Sequence, residues 1–177
     1  MEEKTHLFID QLRRREPGAC RQLIADHGPA VFRMVQRIVG RQEDAEEVWQ
    51  DVFVKALQAI AAYDSRKASL ATWLSRIAYN ESVNFVRRRR PDIVYMDDCD
   101  LSPDSPDETP DDHVVDDLEQ ALAKLPPHEQ AIVTMFYYED MSLADIGYVT
   151  GSTASTVGSQ LCRIRKKLYR IIKTMHP

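Results

Sequence analysis

The sequence predicts an all-α protein of two small helical domains joined by a flexible acidic linker, and three observations carry that expectation. Apolar residues recur at every third or fourth position through both halves of the chain, and no run shows the strict alternation that a half-exposed strand needs. Between the halves, residues 91–112 read PDIVYMDDCDLSPDSPDETPDD, with four prolines that block helix continuation and a string of mutually repelling carboxylates. Such a stretch buries too little apolar surface to offset the entropy of ordering it. The third observation is a pair of helical patterns near the C-terminus separated by a three-residue turn containing Gly, the helix-turn-helix arrangement. The boundaries that follow are 1–90 for the first domain, 91–113 for the tether and 114–177 for the second.

In the first domain, Leu7, Phe8 and Leu12 have helical spacing, and Pro17-Gly18 closes that element while Pro17 can also start the next. Leu23, Ile24, Phe32, Met34, Val35 and Ile38 then form an apolar stripe toward Gly40, with a bend expected at Gly28-Pro29. A third helix begins near Glu43-Asp44, where acids suit the positive end of the helix dipole. Its inner face is Ala45, Val48, Trp49, Val52, Phe53, Ala56, Leu57 and Ile60. A fourth helix runs from about Ala71 through Trp73, Leu74, Ile77, Ala78 and Phe85 into the basic run 87–90. Trp73 reads as core, since an indole inside a regular apolar stripe packs inward.

In the second domain Leu118, Leu122 and Leu125 mark a helix that Pro126-Pro127 ends, and another follows from about His128 to Tyr138. Ser142 then caps a short helix whose Leu143, Ile146 and Val149 face inward, with Asp145 adding negative charge at its N-terminus. Thr150-Gly151-Ser152 turns the chain into a long last helix carrying Val157, Leu161, Ile164 and Leu168 on one stripe.

The net charge of −5 hides a segregation. Residues 1–90 carry a net +4 and residues 118–177 a net +2, whereas residues 91–117 hold eleven acids and no Lys or Arg. An acidic total therefore leaves nucleic-acid binding open, because both flanking domains are basic. Cys20, Cys99 and Cys162 are odd in number and widely spaced, which fits a reducing cytoplasm better than a disulfide framework or a cysteine zinc site. No stretch reaches the length of a membrane span, and MEEKTHLFID has no signal-peptide character. No phosphate loop, histidine cluster or paired carboxylates suggest catalysis, so no enzyme activity, metal or cofactor is expected.

Two features point toward DNA. On the last helix Ser155, Thr156, Ser159, Gln160 and Arg163 lie off the apolar stripe, side chains of the kind that reach base edges in a major groove. Arg165, Lys166, Lys167, Arg170 and Lys173 follow as candidate phosphate contacts. A helical hairpin with a basic tail also occurs in proteins that never meet DNA. The 87–90 run is either a solvated helix end or a track along a phosphate backbone, aided by Arg76, Asn80 and Asn84 one helical turn apart. On the third helix Glu46, Glu47, Gln50, Asp51 and Lys55 form a charged strip opposite the apolar face.

The stretch 44–53, DAEEVWQDVF, resembles the second-region helix of extracytoplasmic-function sigma factors of RNA polymerase. The stretch 73–80, WLSRIAYN, followed by Arg87-Arg88, is similar to that family's next signature. In the second domain Leu125-Pro126, Glu129-Gln130, the stretch 142–147 (SLADIG) and the stretch 155–165 (STVGSQLCRIR) resemble its fourth region. The resemblance implies an initiation factor with RNA polymerase core and promoter DNA as partners, an anti-sigma protein as a possible third, and no insertion into the membrane. It implies that Glu46, Glu47, Gln50, Asp51 and Lys55 dock on the polymerase. The helix from Trp73 and the loop 63–72 would open and hold the −10 element through Lys67, Ser69, Arg76, Asn80, Asn84, Arg87 and Arg88. Ser155, Thr156, Ser159, Gln160 and Arg163 would read the −35 element, with Arg165, Lys166 and Lys167 on phosphates. The chain departs from the family at Gly158 and Gln160, where Lys and Arg are frequent, and at Gly147, where Ala is usual. Two rival functions share the same helices: an autonomous helix-turn-helix repressor or activator, and a helical adaptor that binds only proteins.

Overall fold

The computed structural model describes residues 2–89 and 114–175, with side chains described for 6–89 and 117–175. The tether expected over 91–113 and Arg90 lie outside the described residues. Among the described residues all regular structure is helical: α1 (Glu2–Arg13), α2 (Pro17–Val39), α3 (Gln42–Ala59), a 3₁₀ turn (Ile60–Ala62), α4 (Leu70–Arg89), α5 (Val114–Ala123), α6 (Pro127–Val133), a π-helical turn (Thr134–Tyr138), α7 (Leu143–Thr150) and α8 (Ala154–Met175). No helix among them is long and apolar enough to cross a membrane.

Helix starts follow local chemistry. Pro17 and Pro127 occupy first-turn positions, where a missing N–H costs nothing and a fixed φ is already helical. Ser142 caps α7 by accepting the Asp145 N–H at 3.1 Å, as its spacing predicts. Two further caps were not read from the sequence: Ser69 Oγ accepts the Thr72 N–H at 3.1 Å at the head of α4, and Thr153 Oγ1 accepts the Thr156 N–H at 3.1 Å at the head of α8. Leu7 corrects an expectation. It is 62 % exposed, and α1 is seated by Ile9 and Leu12 instead.

α2 runs unbroken past Pro29. Beside that proline the Trp49 indole N–H of α3 donates to the Gly28 carbonyl at 3.0 Å, and the Trp49 ring would lie 3.2 Å from a Cβ at Gly28. The absent side chain is the seat of the tryptophan, and the Trp49–Phe53 edge contact at 5.1 Å extends the seam along α3. α4 completes the bundle with Leu74, Ala78, Ser82 and Val86 buried against α2 and α3.

The second set of helices packs on the first. α7 lies against α4, α6 against α2 and α4, and buried residues from Leu12 through Leu74 to Ile146 and Leu161 form one continuous apolar cluster. Burying a Leu side chain contributes roughly 1.5–3 kcal/mol, so this cluster, more than helix propensity, holds the elements in place.

The turn between α7 and α8 depends on two glycines. Gly151 takes φ +73, a left-handed helix end that other residues adopt only with strain. A Cβ on Gly147 would stand 2.8 Å from the Ser152 carbonyl oxygen, so the Ala usual in the resembling family does not fit this turn without movement. Gly158 differs: its Cβ would meet only Leu143 Cδ1, at an ordinary 3.7 Å.

Chemical denaturation is expected to separate these positions. Gly158→Ala should stabilise the chain by up to about 1 kcal/mol through helix propensity, whereas Gly147→Ala should destabilise it. Ser82 Oγ is fully buried without a hydrogen-bond partner, so Ser82→Ala should stabilise the chain by about 1 kcal/mol, the lower end of the penalty for an unsatisfied buried hydroxyl, and so raise the unfolding midpoint. A fall in midpoint for Ser82→Ala would show that the hydroxyl is in fact satisfied.

Candidate nucleic-acid interface

Burying one face of a helix commits its opposite face to solvent, and this fixes where the charged side chains go. On α3, with Ala45, Val48, Val52, Phe53 and Ala56 inside, Glu46, Glu47, Gln50 and Asp51 are all exposed. Val54, 53 % exposed, lies one turn beyond Gln50 in the same strip. The sequence reading passed over it because a lone valine beside an apolar stripe looks like core. Its exposure turns an acidic strip into a mixed apolar and acidic face of the kind that fits a protein partner. Lys55 departs from its expected group. Its Nζ reaches Glu81 of α4 at 2.5 Å, and with Glu81, Asn84, Arg87 and Arg88 it lines a polar cleft of about 460 Å³.

On α4 the same logic puts Arg76, Asn80, Asn84 and Arg87 in solvent, at spacings of four, four and three residues that align them on one face. Arg88 Nε donates to the Asn84 carbonyl at 3.3 Å, and Arg89 pairs with Asp44 at 3.5 Å while lying over the Phe85 ring. Ahead of α4 the loop is tightly clipped. Arg66 donates to both carboxylate oxygens of Asp64 at 3.0 and 2.9 Å, and these bonds hold the Asp64 carboxyl at about 2, below its ordinary 3.8. The Tyr63 hydroxyl donates to the Ala68 carbonyl at 3.1 Å, and burial pushes its pKa up. Lys67 is exposed on this loop, and Ser69, also exposed, is committed to the α4 cap. Trp73 is half-buried with its ring 5.3 Å from that of Tyr63.

On α8, Ser155, Thr156, Ser159 and Arg163 are exposed along the first half of the helix. Gln160 and Lys167 differ from expectation. The Gln160 Oε1 is buried without a hydrogen-bond partner, and the Lys167 side chain is 12 % exposed with its amine 3.1 Å from Glu129. In this arrangement Lys167 is taken up in an ion pair with α6, and the Gln160 amide oxygen is turned away from solvent. Lys166 is half-buried, and exposed Arg165 donates to the Tyr137 hydroxyl at 2.5 Å.

A set of contacts between the two helical groups was invisible in the sequence. Arg33 of α2 forms a two-pronged pair with Glu139 at 3.3 and 3.2 Å, and Arg37 lies 3.5 Å above the Tyr138 ring. The π-helical turn carries Tyr138 to this junction, its wider spacing marked by the Glu139 N–H donating to the Thr134 carbonyl five residues back. Farther along, Thr72 of α4 donates to Asp145 of α7 at 3.2 Å, and Arg76 lies 5.0 Å from the Tyr148 ring. No local pattern links residues 73 positions apart. Among the described residues no three His, Cys, Asp or Glu side chains converge as a metal site would require.

Residues 23–91 match the model of Sigma-70 region 2, and residues 116–168 match that of Sigma-70, region 4. The chain is 32% identical over 155 residues to the ECF RNA polymerase sigma factor SigE of Mycolicibacterium smegmatis, covering 83% of this chain and 59% of that protein. It is 23% identical to the ECF RNA polymerase sigma factor SigW of Bacillus subtilis, covering 94% of this chain and 96% of that one. Among solved structures it is similar to CnrH, determined in complex with the cytosolic domain of CnrY (TM-score 0.70, 22% identity, 95% of this chain and 96% of that one). It is also similar to the sigma factor RpoE from Bartonella quintana, determined with the anti-sigma factor NepR (TM-score 0.64, 21% identity, 86% and 96%). These structural likenesses carry the fold: two all-α domains.

Carbon-detected NMR titration should place the Asp64 midpoint at about 2. The clip depends on the ionised carboxylate, so it is intact above the ordinary carboxylate range and is lost only as pH falls through the depressed value. Arg66→Ala should return the midpoint toward 3.8; an unchanged value would mean that Arg66 does not hold this carboxylate in solution.

Proposed function

We propose, on the premise that this chain belongs to the ECF (extracytoplasmic-function) RNA polymerase sigma factors, that it binds RNA polymerase core and directs promoter-specific initiation without catalysing a reaction itself. In this reading the domain of residues 1–90 docks on the polymerase and opens the −10 element, and the domain of residues 114–177 reads the −35 element. The observation that carries it is the outward face of α4, where Arg76, Asn80, Asn84 and Arg87 form one solvent-facing row ending in a cationic cleft. A separated strand needs cations along its backbone and planar or amide groups for its unstacked bases, and that row supplies both.

Docking on the polymerase is assigned to Glu46, Glu47, Gln50 and Asp51, with Val54 as the apolar contact in their midst. Lys55 moves to the DNA side, since it shares a cleft with Asn84, Arg87 and Arg88. Lys67 stands on the loop facing the strand, while Ser69 contributes by capping α4 rather than by reaching a base. For the −35 element the assignment narrows to Ser155, Thr156, Ser159 and Arg163, with Arg165 and Lys166 on phosphates. An anti-sigma protein is a further proposed partner, on the precedent of the complex in which the Bartonella protein was solved.

In vitro transcription with core polymerase on a genomic template library is the direct test. Initiation from defined start sites that requires the added chain is the expected outcome; its absence would favour an autonomous helix-turn-helix regulator. Glu47→Lys should weaken association with core while leaving helicity unchanged, and unaltered retention in a pull-down would remove α3 from the docking surface. Arg163→Ala should cost about 1–3 kcal/mol of discrimination at one promoter position if the guanidinium is bidentate to a guanine. A uniform loss across all sequences would make it a phosphate contact instead.

A further inference from the structure

Where α2 meets α5, α6 and the π-helical turn, the chain encloses a cavity of about 160 Å³. That is close to the roughly 150 Å³ of a cavity that takes up one benzene molecule. It is well below the roughly 300–1,000 Å³ of sites for larger cofactors and drug-sized ligands. A nucleotide does not fit such a space, whereas a molecule of fewer than about ten non-hydrogen atoms does.

The mouth of the cavity carries two opposite charges that do not pair. Arg37 of α2 and Glu119 of α5 both line it and are exposed, yet neither forms an ion pair among the described residues. Arg33, one turn earlier on α2, has Glu139 as its partner. Arg37 instead stacks on the Tyr138 ring, 3.5 Å from its centroid. Stacking uses the flat face of a guanidinium and leaves the N–H groups at its edge free to grip a carboxylate through two parallel bonds. The ring also holds the fork in one orientation, so little freedom is lost when a ligand binds.

The floor is polar. Thr134 is 4 % exposed, and its hydroxyl makes no hydrogen bond among the described residues. The Gln130 side-chain nitrogen donates to the Leu122 and Leu125 carbonyls at 2.7 and 3.2 Å, which leaves the amide oxygen to accept. Buried hydroxyls are ordinarily satisfied by a partner, so this floor suits a polar group of a ligand and not a hydrocarbon tail. Leu122, Ala123 and the Tyr138 ring complete the lining with apolar surface.

A simple carboxylic acid would meet Arg37 but bring its charge near Glu119, and a simple amine would do the reverse. A molecule bearing both charges satisfies both groups. We propose that this cavity binds a small zwitterion of the α-amino-acid class. Arg37 takes the carboxylate, Glu119 takes the ammonium, and Thr134 with the Gln130 amide oxygen receives a polar group on a short side chain. The site uses none of the α4 row or the α3 strip, so it stands or falls apart from the polymerase and promoter assignments. α2 supplies Arg37 and the second domain supplies the remaining groups, so an occupied site joins the two helical groups and stabilises the folded chain.

Isothermal titration calorimetry on the full chain tests the site with L-serine, L-threonine and L-asparagine as probes. L-tryptophan serves as an oversize control, and acetate and methylammonium as the separated halves of the ligand. At least one of the three probes should bind, one molecule per chain, with a Kd below about 1 mM, and should raise the melting temperature by about 2 °C or more at saturation. L-tryptophan should not bind, and acetate and methylammonium should each bind at least about tenfold more weakly than that probe. Arg37→Gln should weaken the probe at least about tenfold. Glu119→Gln, an exposed change that leaves the packing of α2 on the second domain intact, should do the same and keeps the comparison readable if Arg37→Gln loosens the junction. No binding by any of the three probes at about 10 mM overturns the proposal. So does acetate binding as tightly as the best probe, which would make this a plain anion site, and so does an affinity unchanged in Glu119→Gln, which would put the ligand elsewhere.

Discussion

Everything in this structure hangs on the burial of one side of α4. Leu74, Ala78, Ser82 and Val86 make a seam against α2 and α3, and two of these four side chains are small enough for the helices to approach closely. Where interiors are packed as densely as crystals, such a seam has one satisfactory register. Once that register is taken, the outward face of α4 has no choice: Arg76, Asn80, Asn84 and Arg87 must line up in solvent. The same seam draws the end of α3 toward α4, which is why Lys55 meets Glu81 and joins the cations of the cleft.

The junction between the two helical groups has a different character. Its apolar part is continuous with the core, yet its edges are charge-to-carboxylate and cation-to-ring contacts: Arg33 with Glu139, Arg37 with Tyr138, and Arg76 with Tyr148. In every one of these the first domain gives the cation and the second gives the acid or the aromatic ring. Exposed pairs of this kind contribute little individually and weaken with salt. They set orientation more than strength. The basic first domain thus meets its own second domain through cations set against acids and rings.

Family membership and local geometry also inform each other at the α7–α8 turn. Gly147 departs from the residue usual in the resembling family, and the near approach of the Ser152 carbonyl explains why a bare backbone is needed. Gly158 is a departure of another kind, since nothing nearby forbids a side chain. Gln160, with its buried amide oxygen, and Lys167, paired to Glu129, thin the row of groups available to DNA on α8.

The sequence by itself determined the helices and their faces. The stripes through Val48, Val52 and Ala56, or through Val157, Leu161 and Ile164, are local periodicities, and prolines, glycines and caps such as Pro17, Gly151 and Ser142 act within one turn of chain. Exposure of Glu46, Glu47, Asn80 and Arg163 followed from the same periodicity, because what is opposite a buried stripe is solvated. Only the tertiary structure decided which faces meet. That Lys55 turns to Glu81, that Lys167 is spent on Glu129, and that Asp145 and Tyr148 close over Thr72 and Arg76 are matters of partners far apart in the chain. Periodicity tells a residue whether to face inward or outward; it carries no information about the distant side chain waiting on the other side.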